Sequence, residues 1–539
     1  MHPSGEFRPL SATVLPGQTI FLPAAMLLLA TVLSFAAALF FAAGPAHAQD
    51  AAAERLWGEA QRLEQSGDVG GALEEYALLV PQFPNDRLAP RALLEIVDLS
   101  IAQGDGPTTQ GALKRLLADY PRSAEAAEGF LRQGELQSDA AKGPADLETA
   151  LATFRRVPLL FGREEWPQLA ARMHARVRSG ELSLHLGHLE AAQSELVAAI
   201  EDEPPSAWTR QAQLRLASVL LARGEWKAAS ETLQEIAGAR HDATGEPAAA
   251  RNGAAVQPAD QERARRLLSL VHRRILRPLA GQGHWPTAVR FPAGGLELRE
   301  PTSVAAAEDG RVLVLDARQS LLAVLGPDGQ VATSREYKSG ERLGWTPDGR
   351  GYVVTSEAID LPFTGGQAQF NDPRPGKETP LKGLRAAVAG PFRDWHLSAK
   401  GYQGLLVYEN RHQGRVLLGA SQPEIEDVDR DRLGRIYFLD RDANTIVRLG
   451  LDGKTQDVVV RGTWKKPSAL AVDELGNLYV LDRGTSQLEL YDAAGNRQTV
   501  VGPNLGAGLE LRNPVDVAVD GSGRVYIADT RLPHLVRLD

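Results

Sequence analysis

Five fourteen-residue stretches in the second half of this 539-residue chain repeat one pattern. DVAVDGSGRVYIAD (516–529), ALAVDELGNLYVLD (469–482), DVDRDRLGRIYFLD (427–440) and SVAAAEDGRVLVLD (303–316) each place Gly eighth and Asp fourteenth. RLGWTPDGRGYVVT (342–355) keeps the Gly but ends in Thr355. Alternating apolar residues on both sides of the Gly describe two short strands joined by a tight turn. Such a pair buries too little to stand alone, so the copies must pack on one another. Gly329, Gly453 and Gly495 mark a further hairpin-like turn thirteen residues beyond Asp316, Asp440 and Asp482, in PDGQ, LDGK and AAGN. The gap between the copies at 342 and 427 is two periods wide, and DWHLSAKGYQGLLVYE (394–409) fills it as a degenerate unit. Six units of roughly forty residues result.

That period and strand density predict a six-bladed β-propeller over 286–539. The motif resembles the NHL repeat, whose pattern of Pro, then V-A-V-D, Gly, V-Y-V-A and Asp is nearly literal from Pro514 to Asp529. The last unit ends at HLVRLD (534–539) and lacks a fourth strand, while Ala288-Val289-Arg290-Phe291 alternates without a unit of its own. An unpaired sheet edge is a liability, so the 286–300 segment is expected to supply that strand and close the ring.

The region 50–240 has helical spacing instead. Ala72–Tyr76, Ala112–Leu116, Ala150–Phe154, Ala192–Leu196 and Ala229–Leu233 recur about every forty residues, three of them five residues after a Gly. A small residue lets two helices approach, and the larger one a turn later fills the space between them. The arrangement resembles the tetratricopeptide repeat, and LLVPQFPNDRLAPRALLEI and LLADYPRSAEAAEGFLRQGE look most like its envelope and outer-membrane-assembly subset. The expected fold is therefore multidomain, an N-terminal α-solenoid followed by the propeller. Residues 241–258 read as a linker, and 259–280 as a capping helix whose six arginines between 263 and 277 form a solvated basic face.

Residues 20–43 are apolar and Ala46-His47-Ala48 has small–x–small spacing, so 1–48 read as a signal peptide cleaved after Ala48. An uncleaved anchor is the alternative and would be the protein's only membrane contact. Both place the body outside the cytoplasm, in the periplasm or beyond. The chain has no cysteine, which removes disulfides and thiolate chemistry. Its net charge of −9 argues against nucleic acid.

Asp316, Asp440, Asp482 and Asp529 end second strands and decorate one propeller face, a candidate partner-binding face. An acidic ring there could grip a cation or a basic segment. The simpler reading is that each carboxylate caps backbone N–H groups of its own turn. Asp431, Asp473 and Asp520 read as turn residues. Asp427, Asp429 and Asp431 alternate like a calcium loop, but Arg432 and Phe438 stand where Gly and Glu are required.

Propeller lactonases and lyases cluster His, Glu or Asp around the channel to hold a metal, whereas His284, His396, His412 and His534 hold no repeating place here. No metal, cofactor or nucleophile motif is expected. The long insertion 356–383 is a candidate contact loop, and Trp464 is the candidate aromatic for carbohydrate, Trp345 and Trp395 being expected to pack between blades. The function expected is a non-catalytic, exported scaffold binding a protein or peptide in the cell envelope. A metal-dependent lyase- or lactonase-type propeller enzyme and a carbohydrate-binding propeller are the alternatives.

Overall fold

The computed structural model describes residues 50–539 except 202–206, 239–256, 280–284, 286, 293–295, 339, 375, 377–378, 391, 393, 410–413, 418–423, 432 and 507. The expected signal peptide and the expected linker up to 256, with His284, His412 and Arg432, lie outside these residues, while Pro258, expected to end the linker, already opens a helix. The chain divides into two compact bodies, one ending at Gly129 and the other running from Phe130 to Asp539.

Helices come first, in consecutive packed pairs: α1 (50–66), α2 (Val69–Gln82), α3 (Leu88–Gln103), α4 (Gly106–Asp119), α5 (Ala124–Ala140), α6 (Pro144–Leu160), α7 (Ala170–His185), α8 (Leu189–Glu201), α9 (Ala207–Ala222), α10 (Trp226–Ala237) and α11 (Pro258–Val271). Among the described residues no helix is long and apolar enough to cross a membrane. Within four pairs one glycine turn recurs. Gly67, Gly104, Gly187 and Gly224 all adopt left-handed φ between 73° and 85°. The next N–H in each case reaches back five residues, as in Asp68 N to Leu63 O and His188 N to Ser183 O. This is the helix-ending turn that glycine makes without steric cost. The second helix then starts, and Asp68 and Asp105 cap theirs by accepting from Gly71 N and Thr108 N.

The periodic anchors are the helix–helix core. Ala72, Tyr76, Leu116, Ala150, Phe154, Ala192, Leu196, Ala229 and Leu233 have no exposed surface. Two of the large anchors rest on glycines of the preceding helix. A Cβ on Gly134 would meet the Phe154 ring at 2.7 Å, and one on Gly180 would meet Leu196 Cγ at 2.5 Å.

The second half forms six four-stranded antiparallel sheets, each in chain order except the last. Their inner strands neighbour one another in a cycle: Pro301–Ala306, Arg342–Trp345, Leu384–Ala389, Ile425–Arg430, Pro467–Val472 and Pro514–Val519. The last blade takes its outer strand from Ala288–Phe291, with Ala288 opposite Leu538 and Phe291 opposite Leu535. The ring closes as its alternation required. Phe291 adds a buried ring 5.2 Å from that of Tyr526.

Two expectations need correction. The degenerate unit starts not at 394 but at the inner strand Leu384–Ala389, so Trp395 opens a second strand. The insertion 356–383 is no structureless loop, for Ile359–Asp360 and Gln367–Ala368 are the outer strands of blade two.

Each motif aspartate has a structural role. The first turn of a blade joins its first and second strands. There Asp473 and Asp520 accept the N–H groups two and four residues on, and Tyr437, Tyr479 and Tyr526 donate their hydroxyls to Asp431, Asp473 and Asp520. The Gly three residues later, Gly434, Gly476 or Gly523, takes φ of 78–81°.

Candidate functional site

The second turns, joining second and third strands, lie at the opposite end of the blades. Asp316, Asp440, Asp482 and Asp529 are all buried there. Asp482 accepts from Lys465 N and Lys466 N at 2.9 and 2.8 Å, and from Gly484 N at 2.9 Å. Asp529 accepts from Arg512 N, Asn513 N and Arg531 N. Asp316 accepts from Arg299 N, Glu300 N and Gln319 N, and Asp440 from Asp442 N and Ala443 N. Each carboxylate pins a second turn, and three of them also pin the strand leading into the blade. The acidic ring is therefore inside the protein, and its charges meet backbone donors.

Cations occupy the surface above it. Arg299 and Arg318 flank Asp316; Lys465, Lys466 and Arg483 flank Asp482; Arg512 and Arg531 flank Asp529, all seven exposed. These belong to blades one, five and six, which adjoin through the closure of the ring. The second-turn face thus carries a basic crescent on a chain whose net charge is −9. The sequence signal was present, since Arg follows the motif Asp at once in blades four and five and a residue later in blades one and six, but the repeated carboxylate masked it.

The channel holds a second group. At the first position of each inner motif stand Ser303, Arg342, Ala386, Asp427, Ala469 and Asp516, paired with the equivalent second-strand residues. Arg342 reaches across to Asp516 at 3.2 Å and Asp427 at 3.6 Å, and donates to the carbonyls of Val515 and Ser468. Asp516 also accepts from Ser303 Oγ at 2.5 Å and Val304 N at 3.0 Å, and Asp427 from Leu470 N at 2.9 Å. These side chains pass each blade's inner edge to the next. Burial works against the Arg342 charge, but Asp516 and Asp427 outweigh it and hold its pKa above the ordinary value. Burial likewise raises Asp427, against the pull of Arg342. The channel is plugged by its own ion pairs.

Below the plug, on the first-turn face, a cavity of about 770 Å³ opens between the inner strands and helices α7, α9 and α11. The helices seat on the first turns. Leu433 packs on the α7–α9 cluster, Leu475 on Leu220 and Val271, and Leu270 lies against Gly523. Arg274, just past α11, donates to Tyr479 Oη at 2.6 Å and to the Gly523 carbonyl, and stacks on Trp285. Arg277 donates to the Asp539 carbonyl at 3.3 Å. Two arginines of the expected capping helix's basic face, Arg274 and Arg277, are thus turned to the propeller rather than solvated, while Arg265 stays exposed. Inside the chamber Asp429 accepts from Val472 N at 2.8 Å. Burial pushes its carboxyl up to about 7, against the backbone donors of Arg430 and Val472.

The remaining candidates scatter. His396 is buried 3.6 Å from Asp394, with its pKa lowered by burial, and His534 lies in the last blade. Among the described residues no group of three His, Cys, Asp or Glu is placed to hold a metal. Trp464 is 3% exposed and set edge-on to Tyr491, so it offers no sugar platform. Trp395 packs on Tyr352 and Phe370, and Trp345 lies beneath the Arg311 guanidinium at the chamber wall.

No protein-family model matches this chain, and no curated protein does. Solved structures similar to it include virginiamycin B lyase from Staphylococcus aureus, at 12% identity over 47% of this chain and 98% of that one, with a TM-score of 0.34. A putative gluconolactonase is 14% identical over 46% of this chain and 93% of its own, with a TM-score of 0.35. Regucalcin from Agrobacterium tumefaciens str. C58, a calcium-binding protein, is 12% identical over 45% and 90%, with a TM-score of 0.34.

Proposed function

We propose that this chain is an exported, non-catalytic scaffold of the cell envelope, and that the propeller's second-turn face binds an acidic segment of a protein partner. The observation that carries this is the basic crescent on blades five, six and one. It lies on the face that α7, α9 and α11 leave open, because those helices seat on the first turns. Exposed cations on one face raise the local concentration of acidic partners and steer their approach. In this reading the helical pairs are tetratricopeptide-like, which their buried Ala-to-large anchors support, and 1–48 export the chain with cleavage after Ala48.

A 12-residue poly-Glu peptide tests the face by fluorescence anisotropy. It is expected to bind the parent, to weaken as salt rises, and to lose at least about tenfold in affinity with Arg318→Glu, Arg483→Glu and Arg531→Glu combined. Equal binding to parent and triple variant would refute the reading.

A propeller enzyme of the lyase or lactonase kind is the second reading. It draws on Asp429, a chamber carboxyl at about 7, where a general acid–base group works well at neutral pH. A stoichiometric, tightly bound divalent ion in the purified protein would favour a metal-dependent form of this reading over the scaffold.

A further inference from the structure

The six arginines around α11 divide by what they meet. Arg274 and Arg277 bond to the propeller, Arg273 to Ser269 on its own helix, and Arg265 lies outside against Glu262 at 3.6 Å. Arg263 and Arg266 differ. They are three residues apart, hence on one helix face, and both line the 770 Å³ chamber. Among the described residues Arg263 has no hydrogen bond or ion pair, and its Nε is buried with no acceptor. Its electrostatic neighbour, Asp260, is already held by Gln211 Nε2 at 2.7 Å. Arg266 has only a 3.9 Å approach to the exposed Glu262. Across the chamber Arg430 also lines the wall; its electrostatic neighbour is Asp429, and among the described residues it makes no ion pair within 4 Å.

The chamber contains many carboxylates, yet most are committed. Asp427 and Asp516 belong to Arg342, Asp431 and Asp520 to their first turns, and Glu181 to Arg178 and Arg215. A buried guanidinium N–H without an acceptor costs free energy, and its planar fork fits a carboxylate or phosphate in two parallel hydrogen bonds. The cavity is within the size range of small-molecule sites.

We propose that this chamber binds a small polar molecule carrying an oxyanion, carboxylate or phosphate, held by Arg263 and Arg266 from α11 and by Arg430 from blade four. The site is at the opposite end of the blades from the basic crescent, so either idea can fail without the other.

Isothermal titration of the full chain with citrate and with inorganic phosphate, at fixed ionic strength, tests it. At least one anion should bind saturably to the parent and to Arg265→Gln. Affinity should fall at least about tenfold in Arg263→Gln/Arg266→Gln. Binding of phosphate alone assigns a phosphorylated ligand, and of citrate alone a carboxylate. If the double variant does not fold, as judged by circular dichroism, Arg430→Gln is read in its place with the same expected loss. No binding to the parent, or binding unchanged by these substitutions, overturns the proposal.

Discussion

Arg342 shows how one side chain can close a propeller channel. Its charge is compensated by Asp427 and Asp516, and those carboxylates in turn hold N–H groups of neighbouring blades. Removing one member of such a group leaves uncompensated charge in a buried place. Arg342→Met is therefore expected to cost about 3–5 kcal/mol in urea unfolding. Arg342→Met combined with Asp427→Asn and Asp516→Asn should recover most of that loss; if the triple variant is no better than the single one, the ion pairs are not its cause. Asp429 carries a pH signature. Its folded pKa of about 7 lies above the unfolded carboxyl value of about 4. The folded state therefore binds the proton more tightly, and stability falls as pH rises from 4 to 7. Asp429→Asn removes that cost. It should leave stability nearly unchanged near pH 4 and raise it at pH 8 by on the order of 4 kcal/mol. A pH-independent difference would contradict the assignment. At this scale the sequence was only partly readable. The motif aspartates could be read as turn caps because their partners are local. Arg342 could not be matched with Asp516, because that contact exists only once the ring has closed.

The helical pairs show the same limit at the scale of elements. Ala192 and Leu196 announce a helix–helix contact by spacing alone, and both are fully buried. Nothing in that spacing says that Leu196 rests on Gly180 of the preceding helix. Gly180→Ala would place a Cβ within 2.5 Å of Leu196 Cγ, forcing the α7–α8 pair apart. The expected cost is about 1–3 kcal/mol, although alanine has the higher helix propensity. A neutral or stabilising effect in thermal unfolding would contradict the close approach. The third blade lacks the motif Gly and Asp, so nothing in its sequence marks Leu384–Ala389 as the inner strand. For α11 the amphipathic pattern gave the helix, but six arginines looked solvated because a sequence does not say which surface faces them. The first turns do, through Tyr479 and the Gly523 carbonyl.

For the whole propeller, one connection fixes which face is open. The strand Ala288–Phe291 leaves the end of the helical region and becomes the outer strand of the last blade, bonded along Leu535–Leu538. That closure sets blades five, six and one side by side, which assembles the basic crescent, and it brings Arg342 to Asp516. The chamber and the seat of α11 depend on the same closure. Because the chain has no cysteine, an engineered pair reports on it without background. Val289 stands directly opposite Arg537 in the register, and facing residues of antiparallel strands lie within disulfide reach. Val289→Cys/Arg537→Cys is expected, on mild oxidation of the monomer, to form one intramolecular disulfide and leave no free thiol. Two thiols that stay reactive in the folded, oxidised monomer would mean that the strand does not close the ring.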